Sequence, residues 1–295
     1  MTLVFNILAK FNISSEQLEE ITPASLFLFA IWLVGLTIML KWVVDTHFGK
    51  TALPQIHRRR NRMSFYTPLI PFAVWLLSGL AFAYMIASYE SSLSDYHQEL
   101  LKLFLSLVIS ILILILCVFI IRRNFVRGFK GIGFRTGSIL KDFAMGLARI
   151  IVLFPLISLT LLVTVAVGQY ITGNPEWTID RHQGLEMLEK YPQLSMKIIL
   201  IVLSVVIAPV LEEILFRGLF QTMMRNFVSN PWFAIFATSI LFAMAHDNPL
   251  HWPTIFVLSA GLGYAYEKSN SLWQSVFMHT LFNAVSVIGT LYLAQ

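Results

Sequence analysis

Between Leu103 and Ile121 the chain reads LFLSLVISILILILCVFII, a run with no charged residue and no turn-forming glycine or proline. A membrane-crossing helix needs about 20 mostly apolar residues, and this run supplies nearly that many. Seven further segments read the same way: roughly Ile21 to Val44, Thr67 to Tyr89, Ile150 to Ile171, Ile198 to Phe227, Pro231 to His246, Pro253 to Tyr266 and Leu272 to Ala294. The predicted fold is an all-α, polytopic integral membrane bundle of about eight transmembrane helices, a single membrane domain over residues 1–295. Strands do not compete, because the runs are continuous rather than alternating and an open sheet edge cannot be satisfied in lipid.

The composition agrees. The 295 residues are 57% apolar and 13% charged, with a mean hydropathy of +0.73, too oily for a water-soluble domain. Cys117 is the one cysteine, which excludes a disulfide scaffold, cysteine-rich zinc sites and iron–sulfur clusters. The net charge of +5 does not indicate nucleic acid, since Lys and Arg sit in short hinges rather than on one solvated face. No nucleic-acid partner is expected. No cleavable signal peptide is evident at Met1 to Leu8.

The basic residues set the orientation instead. Placing the Lys41 to Arg62 hinge inside also places Arg122 to Arg149, Arg217, Arg225 and Lys268 there. That leaves Lys10, Lys102, Arg181, Lys190 and Lys197 outside, five of 21, and turns both termini away from the cytoplasm. Met1 to Glu20 reads as an interfacial segment, with Ser14 and Gln17 at capping-box spacing. The glycine-rich Gly128 to Gly133 stretch follows no strand, so it reads as a flexible surface connection rather than a phosphate loop.

Chemistry is sought where ionisable groups interrupt the last apolar runs. Glu213 and Arg217, four apart, share a helix face and can pair, while Glu212 is turned about 100° away and is left for another partner. Pro209 should kink the helix just before them. The competing reading is a helix end whose carboxylates snorkel to the cytoplasm. Measured from Arg225, Pro231 and Glu267, Glu212 lies about 20 Å deep, His246 about 22 Å and His279 about 18 Å, so three helices bring a carboxylate and two imidazoles to one level. Phe242 lies one turn from His246 on the same face. Taken alone, His246 reads equally well as a packing residue. His279 and Asn283, four apart, can aim donors at one point, as oxyanion stabilisation requires, or can serve as polar glue between helices. The span from Pro253 to Tyr266 rises only about 21 Å, so the Asp247 to Trp252 link, with His251, is expected to be sunk into the protein. Ser259 and Gly263 have small-xxx-small spacing and are assigned to close packing without chemistry.

The ordered set Glu212-Glu213-x-x-x-Arg217, Phe242-x-x-x-His246 and His279-x-x-x-Asn283 resembles the CPBP family of intramembrane proteases. That family takes in Rce-type CAAX prenyl endopeptidases, bacteriocin-processing enzymes and their immunity-protein (Abi) relatives. The likeness covers Ile198 to Ala294, the predicted catalytic helices. It implies hydrolysis of a peptide bond at the membrane. By position it implies Glu212 as catalytic glutamate, His246 as water-positioning histidine, His279 with Asn283 as oxyanion pair, and Glu213, Arg217 and Phe242 in support. Zincin, aspartyl and serine intramembrane motifs are absent from the chain.

The expected mechanism has Glu212 activate a water held with His246, with no cofactor. The zinc alternative would use His246, His279 and Glu212 as ligands. A non-catalytic immunity or peptide-binding protein is the reading from another class, and a transporter a third. Expected partners are membrane lipid and a peptide or membrane-protein substrate, with a prenylated peptide among the candidates. A compact chain of this kind suits a bacterial plasma (inner) membrane.

Overall fold

The computed structural model describes residues 23–53, 58–89, 94–180 and 183–293. The expected interfacial segment Met1 to Glu20, with its Ser14 and Gln17, lies outside the described residues.

Nine helices occupy the described residues: α1 (Pro23–Asp45), α2 (Leu69–Tyr89), α3 (Asp95–Asn124), α4 (Ile139–Thr172), α5 (Gln183–Lys190), α6 (Leu194–Phe227), α7 (Pro231–Met244), α8 (Trp252–Ser269) and α9 (Leu272–Leu293). Their ends follow local chemistry. Asn230 accepts a hydrogen bond from the Trp232 amide ahead of Pro231, satisfying one orphan donor at the start of α7. Gly173 closes α4 at φ +65°, and Asn270 closes α8 at φ +55°.

The protein is an all-α membrane bundle. Helices stand in all eight segments marked by hydropathy, and four described stretches are long and apolar enough to cross a membrane unaided: Ser25–Asp45, Asp95–Asn124, Thr136–Thr172 and Leu194–Phe227. α8 and α9 pack on α4, and polar groups on them find protein partners rather than lipid.

α4 is the spine of the C-terminal half, packing on α1, α8 and α9, while α7 lies against α8 and α2 against α3. Small residues permit the close approaches. A Cβ on Gly146 would stand 3.2 Å from the Gln274 carbonyl, so α4 and α9 meet nearly backbone to backbone. One apolar cluster joins α3 (Ile113, Cys117, Ile121) to α6 (Leu211, Leu215, Phe216, Leu219) and Phe242 of α7. Another joins α4, α8 and α9 through Ile150, Ile157, Leu258, Leu262 and Met278. The polar site lies where the two meet, since His279 follows Met278 in sequence and touches Phe242 ring to ring.

Three local expectations need correction. α8 runs 18 residues, from Trp252 to Ser269, longer than its apolar core, because Glu267 and Lys268 at its end are held by protein contacts. The link before it is not sunk: Asp247, Pro249 and Leu250 are exposed, and the turn is braced by the Asn248 side chain accepting from the Leu250 amide. The Gly128 to Gly133 stretch is not a loose connection. It makes a short 3-10 turn, buries Ile132 fully, and offers the Ile132 carbonyl to the Tyr266 hydroxyl and the Gly133 carbonyl to the Leu272 amide.

Candidate active site

α6 carries the carboxylates, and its backbone is unusual. Val202–Ile207 and Glu213–Gln221 are wound as wide π turns on either side of a short α-helical piece, Ala208–Glu212. Such turns are frequent at functional sites. Pro209 stands in the first turn of that short α-helical piece, directly after the first wide turn.

Glu213 is fully buried and Arg217 is 1% exposed. Arg217 Nη1 donates to Glu213 Oε1 at 2.7 Å, so two charges that would each be costly in a low-dielectric interior neutralise one another. Arg217 Nη2 donates to the Ser259 hydroxyl at 2.7 Å and to the Ser259 carbonyl at 3.1 Å. The guanidinium also stands 4.5 Å above the centre of the Phe242 ring.

His279 enters from α9. Its Nδ1 lies 3.0 Å from the same Glu213 oxygen, and because a carboxylate accepts, the ring carries hydrogen on Nδ1. Its Nε2 then faces Glu212 Oε2 at 3.8 Å, beyond a direct hydrogen bond. That Glu212 oxygen is buried and has no protein partner. A polar gap of this length is one that a water can bridge.

Phe242 is the shared wall. Its ring centre lies 5.0 Å from that of His246, 5.7 Å from His279 and 4.9 Å from Phe216. His246 Nδ1 donates to the Phe242 carbonyl at 2.8 Å, which leaves Nε2 as the acceptor of the neutral ring. Trp252 Nε1 fixes the other side of that residue by donating to the His246 carbonyl.

Glu212, Glu213, Arg217, Phe242 and His279 therefore form one contact network, and His246 joins it through the Phe242 ring. Asn283 sits one turn beyond His279. It spends one amide hydrogen on the Ser204 carbonyl at 2.8 Å, across the first wide turn of α6, and the second hydrogen is not used in that bond. Ser259 had been assigned to packing alone; it is instead a hydrogen-bond partner of the buried arginine. Among the described residues no three His, Cys, Asp or Glu side chains converge as a metal-ligand set. The Nδ1 atoms of His246 and His279 are committed to a carbonyl and a carboxylate, which leaves the Nε2 atoms for other partners. His246, His279 and Glu212, the ligands of the zinc alternative, are not grouped as such a set among the described residues.

Against known proteins, residues 194–285 match the family described as type II CAAX prenyl endopeptidase Rce1-like. That stretch contains every residue of the network. Residues 194–285 thus resemble that family. A Bacillus subtilis (strain 168) protein named "Putative membrane peptidase YdiL" is 26% identical over 124 residues, covering 42% of this chain and 48% of that protein. The chain thus spans about half the length of this curated relative. No solved structure matches. The matching stretch runs from α6 through most of α9, so the likeness and the polar network lie on the same four helices.

Proposed function

We propose that this chain is an intramembrane endopeptidase in which Glu212 activates a water for attack on a peptide carbonyl. The observation that carries this reading is the unpartnered, buried Glu212 oxygen set 3.8 Å from a histidine that a second carboxylate already orients. A base needs an open acceptor within reach of water, and the Glu212 side chain, 20% exposed where the arginine-paired Glu213 is fully buried, is the carboxylate that meets that need.

In the proposed cycle Glu212 takes a proton from the water, and His246 Nε2 accepts the water's other hydrogen and so holds it in place. The attack forms a tetrahedral oxyanion, which collapses as the C–N bond breaks and Glu212 passes its proton to the leaving amine. His279 and the free amide hydrogen of Asn283 stabilise that oxyanion. For His279 to donate from Nε2 while Nδ1 serves Glu213, its ring must hold both protons. Two carboxylates, one arginine and one imidazolium then sum to zero, which suits a site shielded from water. Loss of one oxyanion donor typically slows such chemistry about 100- to 1,000-fold. No metal takes part in this reading.

The substrate class we propose is a peptide or membrane-protein segment reaching the site from the bilayer or the cytoplasmic face, with a prenylated C-terminal peptide as one form. A bacterial plasma membrane is the proposed location. The test compares membrane proteomes of cells carrying the native chain with cells carrying Glu212→Gln. Uncut precursors are expected to accumulate in the variant. If Glu212→Ala and His246→Ala leave the cellular phenotype and all precursors unchanged, the protein binds a partner without cutting it.

A further inference from the structure

The α6–α8 interface is stitched by polar rungs at a constant offset. Arg217 meets Ser259 and Gln221 meets Gly263, each 42 residues on. Arg225 faces Glu267 at 3.7 Å, the same 42 residues apart (267 − 225). Gln221 Nε2 donates to the Gly263 carbonyl at 3.1 Å and to Glu267 Oε1 at 3.0 Å. The lowest rung is gripped by Arg59, whose guanidinium lies 3.7 Å from Glu267 and 3.6 Å above the Tyr266 ring. Three donors spaced by four on one helix thus meet three partners spaced by four on a parallel neighbour, which fixes the axial register of α8 on α6.

The top rung has a consequence for the proposed active site. Arginine and carboxylate prefer two parallel hydrogen bonds that cover both oxygens. Here the pair is single: Nη1 serves Glu213 Oε1, while Nη2 is drawn away to Ser259, and Glu213 Oε2 has no partner. Ser259 thereby keeps the guanidinium to one side and leaves room for His279 Nδ1 on the same carboxylate.

We propose that Ser259 is a positioning residue whose hydroxyl holds Arg217 to a single hydrogen bond on Glu213, and so keeps the hydrogen of His279 on Nδ1 and turns Nε2 toward Glu212. The effect on cleavage rests on the endopeptidase reading above; the effect on the imidazole does not. The charged groups that His279 meets are Glu212 and Glu213 of α6, with Arg217 on the same Glu213 oxygen and His246 on the other side of the Phe242 ring on α7; from α8, the uncharged Ser259 holds Arg217.

The test is nitrogen-15 NMR of the full chain, labelled on histidine rings and held in lipid nanodiscs. The His279 signals among the seven histidines are identified by their loss in His279→Gln. In the native chain the Nδ1 hydrogen is expected to be localised and slow to exchange. Ser259→Ala leaves Arg217 Nη2 only the residue-259 carbonyl and should let the guanidinium shift toward both Glu213 oxygens, giving about tenfold faster exchange of the His279 Nδ1 hydrogen, the equivalent of one hydrogen bond. Ser259→Thr, which keeps the hydroxyl, should restore the native signal. If Ser259→Ala does not fold, Ser259→Cys keeps the volume with a weak sulfur acceptor and is expected to show the same change. A folded Ala or Cys variant with an unaltered His279 signal overturns the proposal, as does a change spread equally over the other histidines. If the His279 signal changes as expected while Glu212→Gln accumulates no precursor, the positioning role stands and the protease reading falls.

Discussion

At the scale of single residues, the pair most exposed to test is Glu213 with Arg217. The spacing of four was legible in the sequence because helix periodicity puts such residues on one face, and they meet at 2.7 Å. The third partner was not legible. Ser259 lies in another helix, and an interhelical hydrogen bond leaves no local pattern; a small residue four before Gly263 looks like packing until the register of α8 on α6 is known. The buried pair predicts strong non-additivity. Arg217→Met leaves a carboxylate uncompensated at zero exposure, and Glu213→Gln leaves an unpaired guanidinium; each should cost about 3–5 kcal/mol. The double variant should cost well below the sum, because both charges leave together. Denaturant unfolding in mild detergent measures all three, and additive losses would mean that the pair contributes no mutual stabilisation.

At the scale of elements, the eight apolar helices were readable from hydropathy, while the short polar α5 and the winding of α6 were not. Its wide turns follow from how Pro209 and the buried polar side chains are accommodated by neighbours, which no period of 3.6 encodes. The links were misjudged for a related reason: the ends of α8 and the Gly128 to Gly133 turn are set by partners distant in sequence. The outer link carries a prediction of its own. His251 is drawn below the usual histidine range, chiefly by desolvation and also by the His246 ring, against the opposing effect of its hydrogen bond to the Asp180 carbonyl at 3.0 Å. The folded loop then binds a proton less readily than the unfolded chain. Its contribution to stability is complete above the free value near 6.5 and declines as the pH falls from there toward the depressed folded value. Hydrogen exchange at residues 175–180, corrected for intrinsic rates, should therefore quicken between pH 7.5 and 5.5. His251→Gln should flatten that dependence; an equal pH response in the variant would remove His251 as its cause.

For the whole molecule, the remaining question is which end faces the cytoplasm, and one helix is enough to answer it. Exposed Arg122, Arg123, Arg127, Lys130, Arg135 and Lys141 surround the start of α4, whereas Glu176 and Asp180 follow its end. Because cytoplasmic loops retain the excess of Lys and Arg, the start of α4 belongs inside and the loop after Thr172 outside. The chain is well suited to a labelling test, since Cys117 is fully buried in α3 and presents no background thiol. Arg135→Cys and Glu176→Cys place single exposed thiols on either side of α4 alone, so the outcome does not depend on how many other helices cross. In intact cells a membrane-impermeant maleimide is expected to label Glu176→Cys at once and Arg135→Cys only after permeabilisation. The reverse pattern would invert the bundle and put the Arg225–Glu267 end of the polar ladder outside. Equal labelling of both from one side would mean that α4, the spine against which α1, α8 and α9 pack, does not cross at all. The depth argument that sets Glu212, His246 and His279 at one level would then lose its frame.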